Sequence, residues 1–156
     1  MNLTDEVRGA TMGSRRGQVR ILVTLTYLVM VAVNYLANAL PLNGRGTGEV
    51  SAAYPSLFTP AGITFSVWGV IYLLLGAHVL YQWGLFRSAP ETSAESVLLD
   101  RIGVIFAASS VVNTVWVFAW HYDLILLSAV LIVTILVCLA LITSTVRRSN
   151  PTGRQR

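Results

Sequence analysis

The sequence predicts an all-α membrane protein, a bundle crossing the bilayer about four times, on three observations. Four long apolar runs lie in a chain of 156 residues. The composition is 54% hydrophobic and only 12% charged, against about 45–50% and about 25% in soluble domains. None of the four runs contains an Asp, Glu, Lys or Arg. Surface that faces lipid needs no charge, so one cause accounts for all three.

A transmembrane helix needs roughly 20 mostly apolar residues to cover about 30 Å of hydrocarbon. The first span is expected over 21–40 and stops at Pro41. The second is expected over 60–83, with Pro60 suited to the first turn of a helix. The third is expected over 102–120. The fourth covers 124–146 and ends at Arg147 and Arg148. The domain organisation expected is an Arg-rich tail (1–20), a transmembrane domain (21–146) and a basic tail (147–156). Residues 41–59 contain Tyr54, Leu57 and Phe58, too apolar for a free linker, and are expected to fold back over the helix ends. Residues 84–101, with Pro90, Glu91 and Glu95, read as a solvated link. His121 to Asp123 reads as a tight turn.

The 11 basic residues are all Arg and the net charge is +4. They stand between apolar runs instead of clustering on a folded basic face, which argues against nucleic acid as a partner. With the amino terminus inside, the inner side holds Arg8, Arg15, Arg16, Arg20, Arg87, Arg101, Arg147, Arg148, Arg154 and Arg156, and the outer side only Arg45. That bias places both termini in the cytoplasm of a multi-pass cell-membrane protein. Arg15 and Arg16 before an apolar run that reaches Ala37-Asn38-Ala39 also resemble a cleavable signal. The run exceeds a normal signal core, so the first helix is expected to stay. Cys138, alone in an apolar run, reads as a small packing residue.

Helix contacts in lipid depend on small residues and interhelical hydrogen bonds, so polar and aromatic positions point to interior faces. Asn34 and Asn38 share one face of the first helix, four residues apart. Phe65, Trp68, Tyr72 and Gly76 form a stripe on the second, beside a small-residue strip of Gly62, Ser66 and Gly69. Ser109, Asn113, Trp116 and Trp120 share a face of the third. Trp83, Trp120 and Tyr122 fit an interfacial aromatic belt. Asn113 suits either a helix–helix hydrogen bond or a ligand contact. His78 reads as a packing residue, and no second His or carboxylate stands at ligand spacing, so neither a metal nor a cofactor is expected. Proton-coupled transporters normally carry an ionisable group within the membrane, and no Ser here has a base at helical spacing. A non-enzymatic binding protein is therefore expected, with an aromatic-lined pocket suited to a flat, largely apolar ligand. A structural or assembly subunit with no small-molecule ligand is the alternative.

Phe58-Thr59-Pro60 followed by Phe65, Trp68, Ile71-Tyr72 and Gly76 resembles the second helix of the TspO/MBR family, the tryptophan-rich sensory proteins related to the mitochondrial translocator protein. Asn113-Thr114-Val115-Trp116 resembles that family's third-helix N-x-x-W element, and Tyr35 its first-helix Tyr. The resemblance covers roughly residues 30–145. It implies a five-helix bundle, commonly a homodimer, whose pocket under the first loop binds porphyrins, sterols or similar ligands, with roles in tetrapyrrole handling, stress sensing or lipid transport. Carried over by position, the ligand-binding residues are Tyr35, Phe65, Trp68, Tyr72, Asn113 and Trp116, with 41–59 as the lid. The sequence departs from the pattern in two ways: only polar residues follow Val146 where a fifth helix is expected, and Asn34 stands where the family favours Trp.

Overall fold

A computed structural model describes residues 3–54, 62–86, 88 and 90–149. The chain forms α1 (Leu3–Ala39), α2 (Thr47–Ala52), α3 (Val67–Gln82), α4 (Ser93–His121) and α5 (Ile125–Ser149). Short 3-10 turns cover Leu42–Gly44 and Gly62–Ser66. Strands are absent among the described residues, and the protein is an all-α membrane bundle. Gly13–Ala39 within α1, all of α4 and all of α5 are long and apolar enough to cross a membrane; α3 is a shorter apolar helix. At 16 residues α3 spans about 24 Å. The 3-10 turn ahead of it adds about 10 Å, which brings the pair to the thickness of the hydrocarbon.

α1 begins well before its apolar run. Its 37 residues reach about 55 Å, so the amino-terminal part continues as helix beyond the hydrocarbon. A tertiary contact holds this extension. Arg16, on the polar part of α1, is 6% exposed and pairs with Glu91 and Asp100. α4 likewise starts nine residues ahead of the expected third span, because Thr92 caps it by accepting a hydrogen bond from the Glu95 N–H (3.2 Å). Residues 93–101 are thus helix, and the expected solvated link shortens to the segment before Ser93.

Turn chemistry sets the two tight connections. α3 ends with Gly84 at φ +93, the Leu85 N–H bonded to the Leu80 carbonyl and the Gly84 N–H to the Tyr81 carbonyl. This is a Schellman closure, in which glycine takes the left-handed position without steric cost. α4 ends in the same way at Asp123 (φ +58), with the Leu124 N–H on the Ala119 carbonyl. Aspartate is among the few L-residues that tolerate this conformation.

α4 is the central helix, with α1 and α5 packed against it and α3 packed mainly on α1. One apolar cluster joins Val19 and Val23 of α1 to Val79 of α3 and Phe106 and Ala107 of α4. A second, toward the other end, joins Ala37, Trp116 and Val117, with Leu131 and Ile135 of α5 against it. Among the described residues of α5 only Ser128 is buried. Its Leu and Val side chains are left to face lipid, where burial against another helix gains little.

Close helix approach occurs at glycines other than those expected. The Gly62, Ser66 and Gly69 strip was expected to admit a neighbour, yet Ser66 is exposed and a Cβ on Gly69 would meet nothing within 4 Å. The tight crossings are at Gly76 and Gly103. A Cβ on Gly103 would lie 2.8 Å from Val19 Cγ1 and 3.1 Å from Val23 Cγ2. A Cβ on Gly76 would lie 2.7 Å from the Tyr27 hydroxyl, which donates to the Tyr72 carbonyl at 2.9 Å.

Candidate functional site

The third-helix stripe behaves as its spacing predicts. Ser109, Asn113 and Trp116 are buried and Trp120 is half-buried, all on the face of α4 turned to the bundle. Trp68 of α3 reaches across to this face. Its ring lies 6.1 Å from that of Tyr72 and 6.0 Å from that of Trp116, and Trp116 in turn lies 6.1 Å from Trp120. Four aromatic rings therefore run in a continuous row from α3 to the end of α4, at centroid distances where offset aromatic contacts are favourable.

A cavity of about 260 Å³ opens beside this row, lined by Trp68, Tyr72 and Trp116 with Asn34, Asn38 and Thr47. The asparagines are part of a hydrogen-bonded ladder. Asn34 Nδ2 donates to the Met30 carbonyl and to Asn113 Oδ1, each at 2.8 Å. Asn38 Nδ2 donates to the Asn34 carbonyl (3.0 Å), and its Oδ1 accepts from the Thr47 N–H (3.1 Å). Asn34, which stands where the resemblance favours Trp, thus ties α1 to α4 beside the cavity. Asn113 acts as an interhelical acceptor, while its Nδ2 has no partner among the described residues.

One donor is left over in the wall. Trp116 is 8% exposed, and its buried indole N–H has no hydrogen-bond partner among the described residues. A buried indole normally finds an acceptor. Among the described residues no carboxylate lines this cavity.

The segment after α1 closes one end of the cavity. Glu49 accepts from the Gly46 N–H (2.8 Å) at the start of α2, and Asn43 Nδ2 donates to the His121 carbonyl (3.1 Å). Trp120 Nε1 donates to the Thr47 carbonyl at 3.2 Å. Arg45 forms an ion pair with Asp123, and the Tyr54 hydroxyl donates to the other Asp123 oxygen at 3.1 Å. His121 Nδ1, 2.8 Å from the Val117 carbonyl, must carry the proton there, which leaves Nε2 to accept from the Thr47 hydroxyl at 3.4 Å. The hydrogen bond and charge of Arg45 hold the Asp123 carboxyl below its ordinary value, and the hydrogen bond to Asp123 raises the Tyr54 hydroxyl. Residues 41–54 are therefore fastened to the α4–α5 turn from several directions.

Of the residues singled out in the sequence, Trp68, Tyr72 and Trp116 line the cavity, and Asn113 lies behind them, bonded to Asn34. Tyr35 is 70% exposed on the outer side of α1 and does not reach the cavity, because one residue beyond Asn34 is a turn of about 100° around the helix. The Phe65 side chain, Pro60 and residues 55–59 of the expected lid lie outside the described residues. Thr47 was not anticipated; nothing in a loop Thr distinguishes a lid residue until the loop is folded. His78 packs on Phe106 (5.3 Å between rings) and lies 3.3 Å from Gln82 Nε2. Among the described residues no group of three His, Cys, Asp or Glu side chains is placed to hold a metal.

No curated protein and no solved structure matches the chain. The family comparison gives a positive result: the model of the TSPO-like proteins matches residues 20–156, which include every residue of the aromatic row, the asparagine ladder and the closing segment. By that match, the chain belongs to the TSPO-like protein family.

Proposed function

We propose that this protein binds a flat, largely apolar ligand bearing a hydrogen-bond acceptor in the cavity between α1, α3 and α4. A tetrapyrrole fits this description best, with sterols and similar lipids in the same class, and binding would serve a sensory or transport role without catalysis. The observation that carries the reading is the unsatisfied N–H of Trp116, buried in an aromatic wall beside an open cavity. An aromatic face on the ligand would stack on Trp68 and Tyr72, and its acceptor would complete Trp116. At about 260 Å³ the cavity lies just under the usual range for drug-sized ligands, so it takes one edge of a tetrapyrrole or a smaller ring entire. Both termini would lie in the cytoplasm of a cell-membrane protein. In support, ten arginines of the sequence fall on that side and Arg45 alone on the other.

The alternative, a structural or assembly subunit, is favoured by the Asn34–Asn113 bond, a helix–helix contact that needs no ligand. Porphyrin titration of the detergent-purified chain, followed by Trp fluorescence, separates the two. The ligand reading expects saturable quenching. Trp68→Ala and Asn113→Ala should weaken it, and Trp116→Phe, which keeps the ring but loses the N–H, should weaken it about fivefold, the worth of one hydrogen bond of about 1 kcal/mol. A non-saturating curve from folded protein would leave the structural reading.

A further inference from the structure

At the end of the bundle remote from the aromatic cavity, the arginines of α1 and α4 from Arg15 to Arg101 fall into two classes. Arg16 and Arg20 are used internally: Arg16 pairs with Glu91 (3.0 Å) and Asp100 (2.7 Å), and Arg20 with Glu91 (3.0 Å). Arg15 and Arg101 are exposed, and neither has an ion pair or hydrogen bond among the described residues. These two free guanidiniums line one groove of about 400 Å³ between α1 and α4, together with Val97, Asp100, Val104 and Ile105. The Asp100 carboxylate does not offset them, because its Oδ1 accepts from Arg16.

The depth of the groove matches a lipid headgroup. Arg101 immediately precedes the apolar run of α4, and Arg15 lies six residues ahead of that of α1, about 9 Å along the helix. The polar layer of a leaflet is about 5–8 Å thick. Val104 and Ile105 lie about 5 Å deeper than Arg101, at the level where acyl chains begin. Guanidinium forks recognise phosphate oxygens in pairs, and basic pockets between transmembrane helices suit anionic headgroups.

We infer that the α1–α4 groove is a binding site for an anionic phospholipid, its phosphate held between Arg15 and Arg101 and its first acyl carbons on Val104 and Ile105. A soluble anion would use the arginines but not the apolar floor.

Native mass spectrometry of the full chain in detergent tests this, with phosphatidylglycerol and phosphatidylcholine of matched chain length as probes. The expected result is a saturable preference for phosphatidylglycerol. Arg15→Gln with Arg101→Gln should lower that affinity about 30-fold, at about fivefold per arginine, and leave phosphatidylcholine unchanged. Both side chains are exposed, so the variant keeps its packing. Val104→Trp, which keeps both charges but fills the groove, should also lose the lipid, and Arg147→Gln with Arg148→Gln should retain it. Equal binding of the two lipids, full affinity in the Arg15/Arg101 double variant, loss only in the Arg147/Arg148 variant, or displacement by millimolar inorganic phosphate would each overturn the site.

Discussion

Replacing Arg16 by Met should be among the most damaging single changes at the end of the bundle remote from the aromatic cavity, although sequence alone places this residue in a polar tail. Its side chain is 7% exposed, and those of its partners Glu91 and Asp100 are 15% and 13% exposed. The pair with Glu91 runs from Nε at an angle too bent for a hydrogen bond, whereas Nη1 makes well-formed bonds to Asp100 Oδ1 (2.7 Å) and Gln82 Oε1 (3.0 Å). At an effective dielectric of about 20, each 3 Å ion pair represents about 5 kcal/mol of gross attraction. Desolvation offsets most of this while the network is whole. Removing Arg16 alone takes away the attraction and leaves Asp100 partly buried without its ion-pair partner. Breaking a buried pair in that way costs about 3–5 kcal/mol. Arg20→Met should cost less, about 1–2 kcal/mol, because Glu91 keeps Arg16 and Arg20 is 25% exposed. The assay is reversible unfolding in mixed micelles by SDS titration, read by Trp fluorescence. Arg16→Met with Asp100→Leu should recover about 2 kcal/mol relative to the single variant, since the orphaned charge is gone. A cost for Arg16→Met below about 1 kcal/mol, the range of exposed pairs, would refute the claim that this network fastens the α1 extension to α4.

Gly76→Ala should displace the Tyr27 hydroxyl from the Tyr72 carbonyl and destabilise the α1–α3 contact by about 1–3 kcal/mol, measurable in the same titration. The Arg45–Asp123–Tyr54 clasp should open at both pH extremes. The folded Asp123 pKa is lowered, so its contribution is present above the ordinary value of 3.8 and is lost as pH falls through the folded value. The folded Tyr54 pKa is raised, so its contribution is present below 10.0 and is lost as pH rises through the folded value. Limited proteolysis within residues 41–54 should accelerate at both ends, and Asp123→Asn should abolish the acid step; a pH-independent cleavage rate would refute the clasp. In a Cys138→Ser background, an impermeant maleimide should label Tyr54→Cys in intact cells and Ser149→Cys only after lysis; the reverse pattern would invert the topology.

The helical character of the chain was legible because apolar runs free of charge can satisfy their backbone in lipid only as helix. Helix ends outside the hydrocarbon were not. Nothing local in Leu3 to Arg20 marks it as part of α1, and its ordering rests on Arg16 meeting residues about seventy-five and eighty-four positions away. The stripe of Ser109, Asn113, Trp116 and Trp120 was legible from period alone. Its partners were not, since spacing fixes a face but not what lies across from it.

By itself, then, the sequence determined that α1, α3, α4 and α5 form, where their apolar lengths lie, and which faces carry the aromatic and amide groups. These properties follow from composition and periodicity, which are local. Only the tertiary structure decided that Asn34 bonds Asn113, that Tyr35 turns away from the cavity, that Gly76 and Gly103 are the close crossings, and that Arg16 and Arg20 are consumed while Arg15 and Arg101 stay free. Each depends on the rotation and depth of one helix against another. Those are set by the summed packing of whole faces, which no single stretch of sequence contains.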